Sequence, residues 1–265
     1  MAPGSGTKKK GRMKKSNQQP QLNLTPKTIL LAAALCLPGL SVFSQGVISP
    51  NGKPYGRSYS QWSAAWWQWV FSLPVTASPQ FDTADCSTGQ SGPVWFLAGT
   101  FFGGIISRDC TVPANKALFF PVANAWADNT GCAGSGCLPT ANSSAALLGI
   151  AKSIQDQASG LSCTIDGKPV KGLANQAPYR VTATFSYTLP DDPNNVINYF
   201  VLNFCGADIP GCYASGGAVS PVATDGVWLM VAPLNEGHHT IHFSAATPAL
   251  DITYHLTVLE DNSQK

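Results

Sequence analysis

The chain has 265 residues, of which 44% are hydrophobic and 11% charged, and its formal net charge is +2. This composition excludes a disordered chain, which would be rich in charged residues and poor in aromatic ones. The 25 glycines and 20 prolines favour a folded protein with many loops.

The first 44 residues have the form of a secretory signal peptide. Seven of the 16 basic residues precede an apolar run over residues 29–40, and Val42 and Ser44 are small residues at positions −3 and −1 before Gln45. A basic segment, a short apolar segment and small residues at the cut are the marks of such a peptide. We therefore expect an exported protein, periplasmic or extracellular. A retained membrane anchor is the alternative, although the apolar run is short for a bilayer.

Removal of the leader would change the charge of the protein. Residues 45–265 carry nine basic and all 14 acidic residues, a net charge of −5. An acidic chain without a basic stripe argues against nucleic acid as a partner. No membrane contact is expected after cleavage. The remaining 221 residues are predicted to form a single exported domain.

A helix is predicted directly after a short polar entry segment. Ser58 and Gln61 have the spacing of a capping box, and Pro74 ends the helix after Leu73. Its apolar stripe contains Trp62, Trp66 and Trp69, which are expected in the core because they recur at helical spacing.

Two aromatic residues of this helix point away from that stripe. Trp67 and Phe71 are one helical turn apart, and they are our candidate ligand-binding residues. Aromatic rings on a rigid element can stack on a sugar or line an apolar groove. The alternative is that they meet a second layer of the core.

The rest of the chain is dominated by strand patterns. Short apolar or alternating segments between turn residues predict strands within residues 94–98, 117–122, 163–170, 179–188, 197–204, 226–231, 238–244 and 251–259. Asp166-Gly167 predicts a tight hairpin turn, and residues 144–158 a second helix. We expect a mainly β fold, an antiparallel two-sheet β-sandwich-like domain with two accessory helices at an edge or end.

Seven cysteines follow the leader, and an oxidising compartment favours disulfides between them. The spacing predicts Cys132–Cys137 and Cys205–Cys212 across small loops, and Cys86–Cys110 between the ends of a strand pair. Cys163 is left over. The four- and six-residue gaps within the close pairs fit a zinc site poorly.

The histidines of the last two predicted strands are candidate metal ligands. If Phe243 opposes Leu250, then His238, His242 and His255 share one outer face with Asp251. His238 and His242 would be about 13 Å apart at roughly 3.3 Å per residue, too far for one ion to bind both easily. We therefore predict no metal and no cofactor. His239 is expected to be a half-buried structural residue.

No motif identifies a catalytic residue. The sequence has no nucleophile elbow, zinc-protease, dinucleotide or phosphate-loop pattern, and several aspartates lie in turn contexts. The leading hypothesis is a non-catalytic exported binding or structural protein, with a carbohydrate or an apolar surface as candidate ligand. The alternative is a hydrolase of an extracellular polymer whose carboxylates the sequence does not identify.

Three segments together resemble a group of exported bacterial proteins of unknown function. They are WxxxWWQW over residues 62–69, VPAxKALFFP over residues 112–121, and DGxWLMxxPLxxGxHTIxF over residues 225–243. The resemblance implies bacterial export and a single domain. It implies no activity and no catalytic residues.

Overall fold

The computed structural model describes residues 46–130, 141–191, 193–204 and 216–260. Within these ranges the protein is mainly β. Its helices are α1 (Tyr59–Ser72), α2 (Ser144–Gln155) and α3 (Val196–Phe204). Its strands are β1 (Val94–Phe96), β2 (Gly104–Pro113), β3 (Ala117–Asp128), β4 (Ser162–Ile165), β5 (Lys168–Pro169), β6 (Arg180–Leu189), β7 (Gly217–Val231), β8 (Gly237–Ala245) and β9 (Leu250–Leu259).

The strands form two sheets of mixed direction. Sheet A has the order β1-β3-β7-β6, and sheet B has the order β2-β9-β8-β4-β5. The prediction of purely antiparallel sheets is wrong, because β1 pairs with β3 and β2 with β9 in parallel. Parallel neighbours need a crossover connection. Here the chain supplies one by leaving sheet A after β1, adding β2 to sheet B, and returning as β3.

The two sheets face each other across one apolar interior. Phe120 of sheet A stacks on Phe243 of sheet B with ring centroids 5.0 Å apart, and Tyr254 lies beside Phe243. The inward residues of β8 and β9 are those that their alternation predicts: Ile241, Phe243, Ile252, Tyr254 and Leu256, all essentially buried. Their burial confirms the inner face expected for this hairpin.

A second core covers the opposite face of sheet A. Trp66 of α1 contacts Trp228 of β7, and Trp228 stacks on Phe119 of β3 at 5.3 Å. Residues of α3 join the same buried cluster. The two predicted helices, α1 and α2, were expected at an edge or end. Instead, α1 lies on this face of sheet A, because the strands are apolar on both sides and need a cover there. Leu147 of α2 packs on Ala127 of β3 and Ala223 of β7 in a separate small cluster.

Local sequence explains where α1 and α3 begin. Both halves of the predicted capping box at Ser58 and Gln61 are present, with bonds of 3.3 and 2.9 Å. Residues 197–204 were predicted as a strand, and this is wrong. The Asn195 side chain accepts a hydrogen bond from the backbone N–H of Asn198 at the start of α3. Short apolar runs do not distinguish strand from helix by themselves.

Arg180 of sheet A reaches the end of α2 through an exposed ion pair, and it also pairs with a buried carboxylate within the sheet. Arg180 of β6 contacts the carboxylate of Asp225, whose side chain is 0% exposed, at 2.6 Å, and also Asp156 at the end of α2 at 2.7 Å. These bonds raise the pKa of the Arg180 guanidinium. The Arg180–Asp225 pair joins β6 to β7, and the Arg180–Asp156 pair reaches the end of α2.

The predicted leader over residues 1–44 lies outside the described residues, so its cleavage and the export of the protein stay predictions. In the part of the chain that the structure describes, no helix has the length and apolarity that a membrane crossing requires.

Candidate functional site

The candidate site is a groove of about 480 Å³ beside helix α1. Its volume lies in the range of small-ligand pockets, roughly 300–1,000 Å³. One side of α1 forms its floor, and two loops form its walls. It is larger than two other hollows, of about 250 and 290 Å³. The lining residues are Tyr55, Arg57, Trp62, Ala65, Gln68, Trp69, Ser72, Gly89, Ser91, Gly92, Pro93 and Phe96.

The first wall is a tight turn over Pro54–Gly56. Trp62 buries its ring in the core and uses its indole N–H to donate to the carbonyl oxygen of Pro54 at 2.9 Å. Tyr55 adopts a left-handed backbone conformation, with φ 53° and ψ 33°. This conformation is uncommon for residues other than glycine. Tyr55 is 39% exposed at the groove. The turn thus presents an aromatic ring at the rim.

Arg57 follows this turn. Its guanidinium carbon lies 4.9 Å from the centroid of the Trp62 ring, a cation–π geometry. Its backbone N–H donates to Pro54. Among the described residues, no ion pair involves Arg57. Its charge is therefore held in place at the groove without an anionic partner.

The second wall is the loop over residues 85–93. Trp69 donates from its indole N–H to the carbonyl oxygen of Thr88 at 2.9 Å. Gly89 sits against this indole with φ +69°, and a side chain there would begin 3.0 Å from Trp69 Nε1. Lys116 donates from Nζ to the carbonyl oxygen of Gly92 at 3.0 Å. Two tryptophans of α1 therefore hold the two walls.

A disulfide and a glutamine anchor the base of the second wall. Cys86 is joined to Cys110 of β2. Gln90 spans the loop: its amide donates to Cys86 and Phe96 carbonyl oxygens, and its side-chain oxygen accepts from the Phe96 N–H at 2.9 Å. The wall is thus linked to both sheets, through β1 and through β2.

The floor offers oriented polar groups. Gln68 donates from Nε2 to the carbonyl oxygen of Ser186 at 2.8 Å, which leaves its Oε1 as an acceptor. Ser72 donates from Oγ to Trp69 and keeps its lone pairs. The Tyr55 hydroxyl is neutral near pH 7, because the ordinary pKa of a tyrosine is about 10 and partial burial raises it further, so it can donate or accept. The groove combines the exposed Tyr55 ring with several hydrogen-bonding groups.

The sequence-predicted ligand residues lie elsewhere, in the interior. Trp67 is 2% exposed and donates from Nε1 to Thr224 Oγ1 at 2.8 Å; Phe71 is 0% exposed and stacks on Tyr187 at 4.1 Å. Neither ring has a face free for a ligand at the surface, because sheet A and α3 cover this side of α1.

The predicted register of the histidine strands is wrong by two residues. Phe243 pairs with Ile252 rather than Leu250, and His255 pairs with Thr240 rather than His238. A shift of two residues preserves which face each side chain occupies. His242 Nε2 still lies 2.9 Å from Asp251 Oδ1, as a diagonal neighbour.

No group of three metal-ligating side chains is arranged to hold an ion within the described ranges. His239 is half-buried between Asp166 Oδ2, at 2.8 Å, and the carbonyl oxygen of Asn235, at 2.9 Å. Its predicted structural role is confirmed by these contacts.

Of the predicted disulfides, Cys86–Cys110 is present. The other four cysteines, Cys132, Cys137, Cys205 and Cys212, lie outside the described residues. Cys163 is buried on β4 with its thiol unbridged. Burial raises the pKa of this thiol to about 12.

Sequence reasoning missed Tyr55 and Arg57, which fall in the segment interpreted as a polar entry. The dipeptide Tyr55-Gly56 after a proline is a turn signal. It does not reveal that the turn folds back onto Trp62. That contact depends on a hydrogen bond to a side chain from the next element.

The chain matches no family model, no curated protein and no solved structure. The resemblance of its three segments to exported bacterial proteins therefore stays a prediction.

Proposed function

We propose that this protein is a non-catalytic exported binding protein that takes an oligosaccharide in the groove beside α1. The observation that carries the proposal is the exposed Tyr55 ring, which lines the same groove as floor groups that hydrogen bonds already orient. Sugars present apolar ring faces together with many hydroxyls, and an aromatic ring flanked by oriented polar groups suits both.

The walls support binding by a preformed site. Each wall is tied to α1 through a tryptophan indole, and the second wall also carries a disulfide. A site ordered before the ligand arrives loses less conformational entropy on binding. The groove therefore needs few new contacts to give measurable affinity.

The hydrolase alternative is less favoured by the composition of the groove. Glycoside hydrolysis ordinarily uses a pair of carboxylates that flank the bond to be cleaved. Among the described residues that line the groove, none is an aspartate or a glutamate. Binding without turnover is the function that this chemistry supports.

The test is a glycan-binding screen on the mature chain, followed by titration with Tyr55→Asn. Asparagine tolerates the left-handed backbone conformation of this position, so the turn is kept while the ring is removed. Loss of stacking should weaken binding by about threefold to tenfold.

The matched control is Phe102→Asn, which removes a ring that is 50% exposed and outside the groove. The Phe102→Asn variant should bind the glycan with the affinity of the wild type. A chain that binds no glycan, or a Tyr55→Asn variant that binds normally, would overturn the proposal. Release of new reducing ends during the titration would establish the hydrolase instead.

A further inference from the structure

The charge of the groove is opposite to that of the predicted mature chain. Residues 45–265 carry a net charge of −5, yet the charged residue among those lining the groove is Arg57. Lys53 precedes the first wall, and Lys116 contacts the second through Gly92. Within the described ranges, none of these three cations takes part in an ion pair. The groove therefore carries a local positive charge, although residues 45–265 are acidic overall.

The position of Arg57 leaves its donors available. The Arg57 guanidinium carbon lies 4.9 Å from the centroid of the Trp62 ring, and a cation–π contact leaves the guanidinium N–H groups able to donate hydrogen bonds. Those N–H groups can form two parallel hydrogen bonds to a carboxylate, and they also bond sulfate or phosphate oxygens. The Trp62 ring therefore orients the cation without consuming its hydrogen bonds.

Asp85, the acidic residue within the second wall, lines another hollow. Its carboxylate accepts hydrogen bonds from the hydroxyl and the backbone N–H of Ser87, and these bonds lower its pKa. Asp85 lines the hollow beside the disulfide, together with Cys86 and Cys110. An anion in the groove would thus meet Arg57 without a carboxylate in the lining.

We infer that the groove selects an anionic oligosaccharide, with a carboxylate or sulfate of the ligand on Arg57 and a sugar ring on Tyr55. This inference rests on the proposed function and names the ligand class for the same site. The shared chemistry is a negatively charged sugar, and the source of the charge is decided by the probes below.

The experiment is calorimetric titration of the mature protein with three trisaccharides. They are α-1,4-linked galacturonic acid, the neutral α-1,4-linked galactose, and the sulfated form of that neutral sugar. At least one anionic probe should bind about tenfold or more tighter than the neutral one, the usual gain of a charge-assisted hydrogen bond. The preference should shrink at 1 M salt, where the screening length is about 3 Å.

Three variants locate the anion. Arg57→Gln should lose about tenfold in affinity for the anionic probe while its affinity for the neutral probe stays unchanged. Lys53→Gln removes the same charge just outside the lining and should lose much less. Lys168→Gln with Lys171→Gln tests a separate basic hollow beside β5.

The outcomes separate the two proposals. Equal affinity for neutral and anionic probes in the wild type overturns the anionic preference but keeps the glycan site. Loss of anion binding in the Lys168/Lys171 variant rather than in Arg57→Gln also overturns it, because the anion would then bind elsewhere. Failure of every glycan to bind overturns the proposed function itself.

Discussion

The two sheets of this protein differ in what covers them. In sheet A, β3 and β7 are buried along most of their length, since they pack against sheet B, against α1 and α3, and, near one end, against α2. In sheet B, β9 alternates between inward residues that are buried and outward ones that are more exposed. A strand covered on both faces has a continuous apolar sequence, whereas a strand covered on one face alternates.

This difference explains where the candidate site lies. Helix α1 covers sheet A with one side and forms the groove floor with the other, so its tryptophans serve both purposes. Trp62 and Trp69 bury their rings in the core while their indole N–H groups hold the groove walls. The outer face of sheet B carries histidines and threonines, and in the described part of the chain no helix packs on β8 or β9 as α1 packs on sheet A. The following predictions test this contrast.

The largest effect is expected on the covered face of sheet A. Trp66 is fully buried, donates to the carbonyl oxygen of Leu97 at 3.0 Å, and contacts Trp228. Trp66→Ala should lower the free energy of unfolding by about 3–5 kcal/mol, since truncation of a large core ring leaves a cavity. Chemical denaturation followed by circular dichroism measures this. A loss below about 1 kcal/mol, ordinary for an average substitution, would contradict a well-packed second core.

The next largest loss of stability is expected when the disulfide between the two sheets is removed. Cys86 precedes β1 of sheet A, and Cys110 lies in β2 of sheet B. Replacement of both by serine should lower the free energy of unfolding by about 2–4 kcal/mol, because the unfolded chain is then less restricted. The wild type measured with reductant is the control, and it should behave like the double variant. Peptide mapping that finds both thiols free in native protein would disprove the link.

On the outer face of sheet B, truncation of a side chain to alanine should cost much less stability than Trp66→Ala does on sheet A. His242 and Asp251 form a contact of 2.9 Å with side chains 34% and 46% exposed. His242→Ala should change the free energy of unfolding by no more than about 0.5 kcal/mol at pH 7, since exposed pairs contribute little. The same denaturation assay applies. A loss comparable to that of Trp66→Ala would mean that this face is covered after all.

The smallest expected effect is a difference in alkylation rate between thiols on the two faces of β4, a strand of sheet B. Burial raises the pKa of the Cys163 thiol to about 12, so at pH 8 it is protonated and should resist alkylation. Ser162→Cys places a thiol on the exposed side of β4, where a pKa of about 8.5 allows rapid alkylation. Mass spectrometry of the labelled peptides compares the two sites in one variant. Fast labelling of Cys163 in the native protein would contradict its burial.

Elements with strong local signals were predicted correctly from the sequence. The capping box at Ser58 begins α1, and Asp166-Gly167 forms the tight turn between β4 and β5, with φ of +49° and +73°. Both signals rest on bonds or backbone preferences among residues close in the chain. The faces of β8 and β9 also follow from alternation, but their pairing was displaced by two residues. Alternation determines the face and leaves the register to longer-range packing.

The candidate site depends on contacts that no local pattern encodes. Tyr55 and Arg57 reach their positions because the Trp62 indole bonds to Pro54, and the second wall reaches its position through Trp69 and the disulfide. Trp67 and Phe71 are aromatic residues of the kind that form binding surfaces, but in the structure they are buried against sheet A. Periodicity shows that a helix has two apolar faces without showing what covers each.

The sequence by itself determined the mainly β composition, the first helix and its boundaries, the tight hairpin, and the inner and outer faces of the last two strands. Each of these follows from the backbone geometry of neighbouring residues. Only the tertiary structure decided the parallel pairings, the helical state of residues 196–204, the burial of sheet A on both sides, and the groove. Those depend on which distant surfaces meet, because apolar area is buried against whatever element the complete fold brings to it.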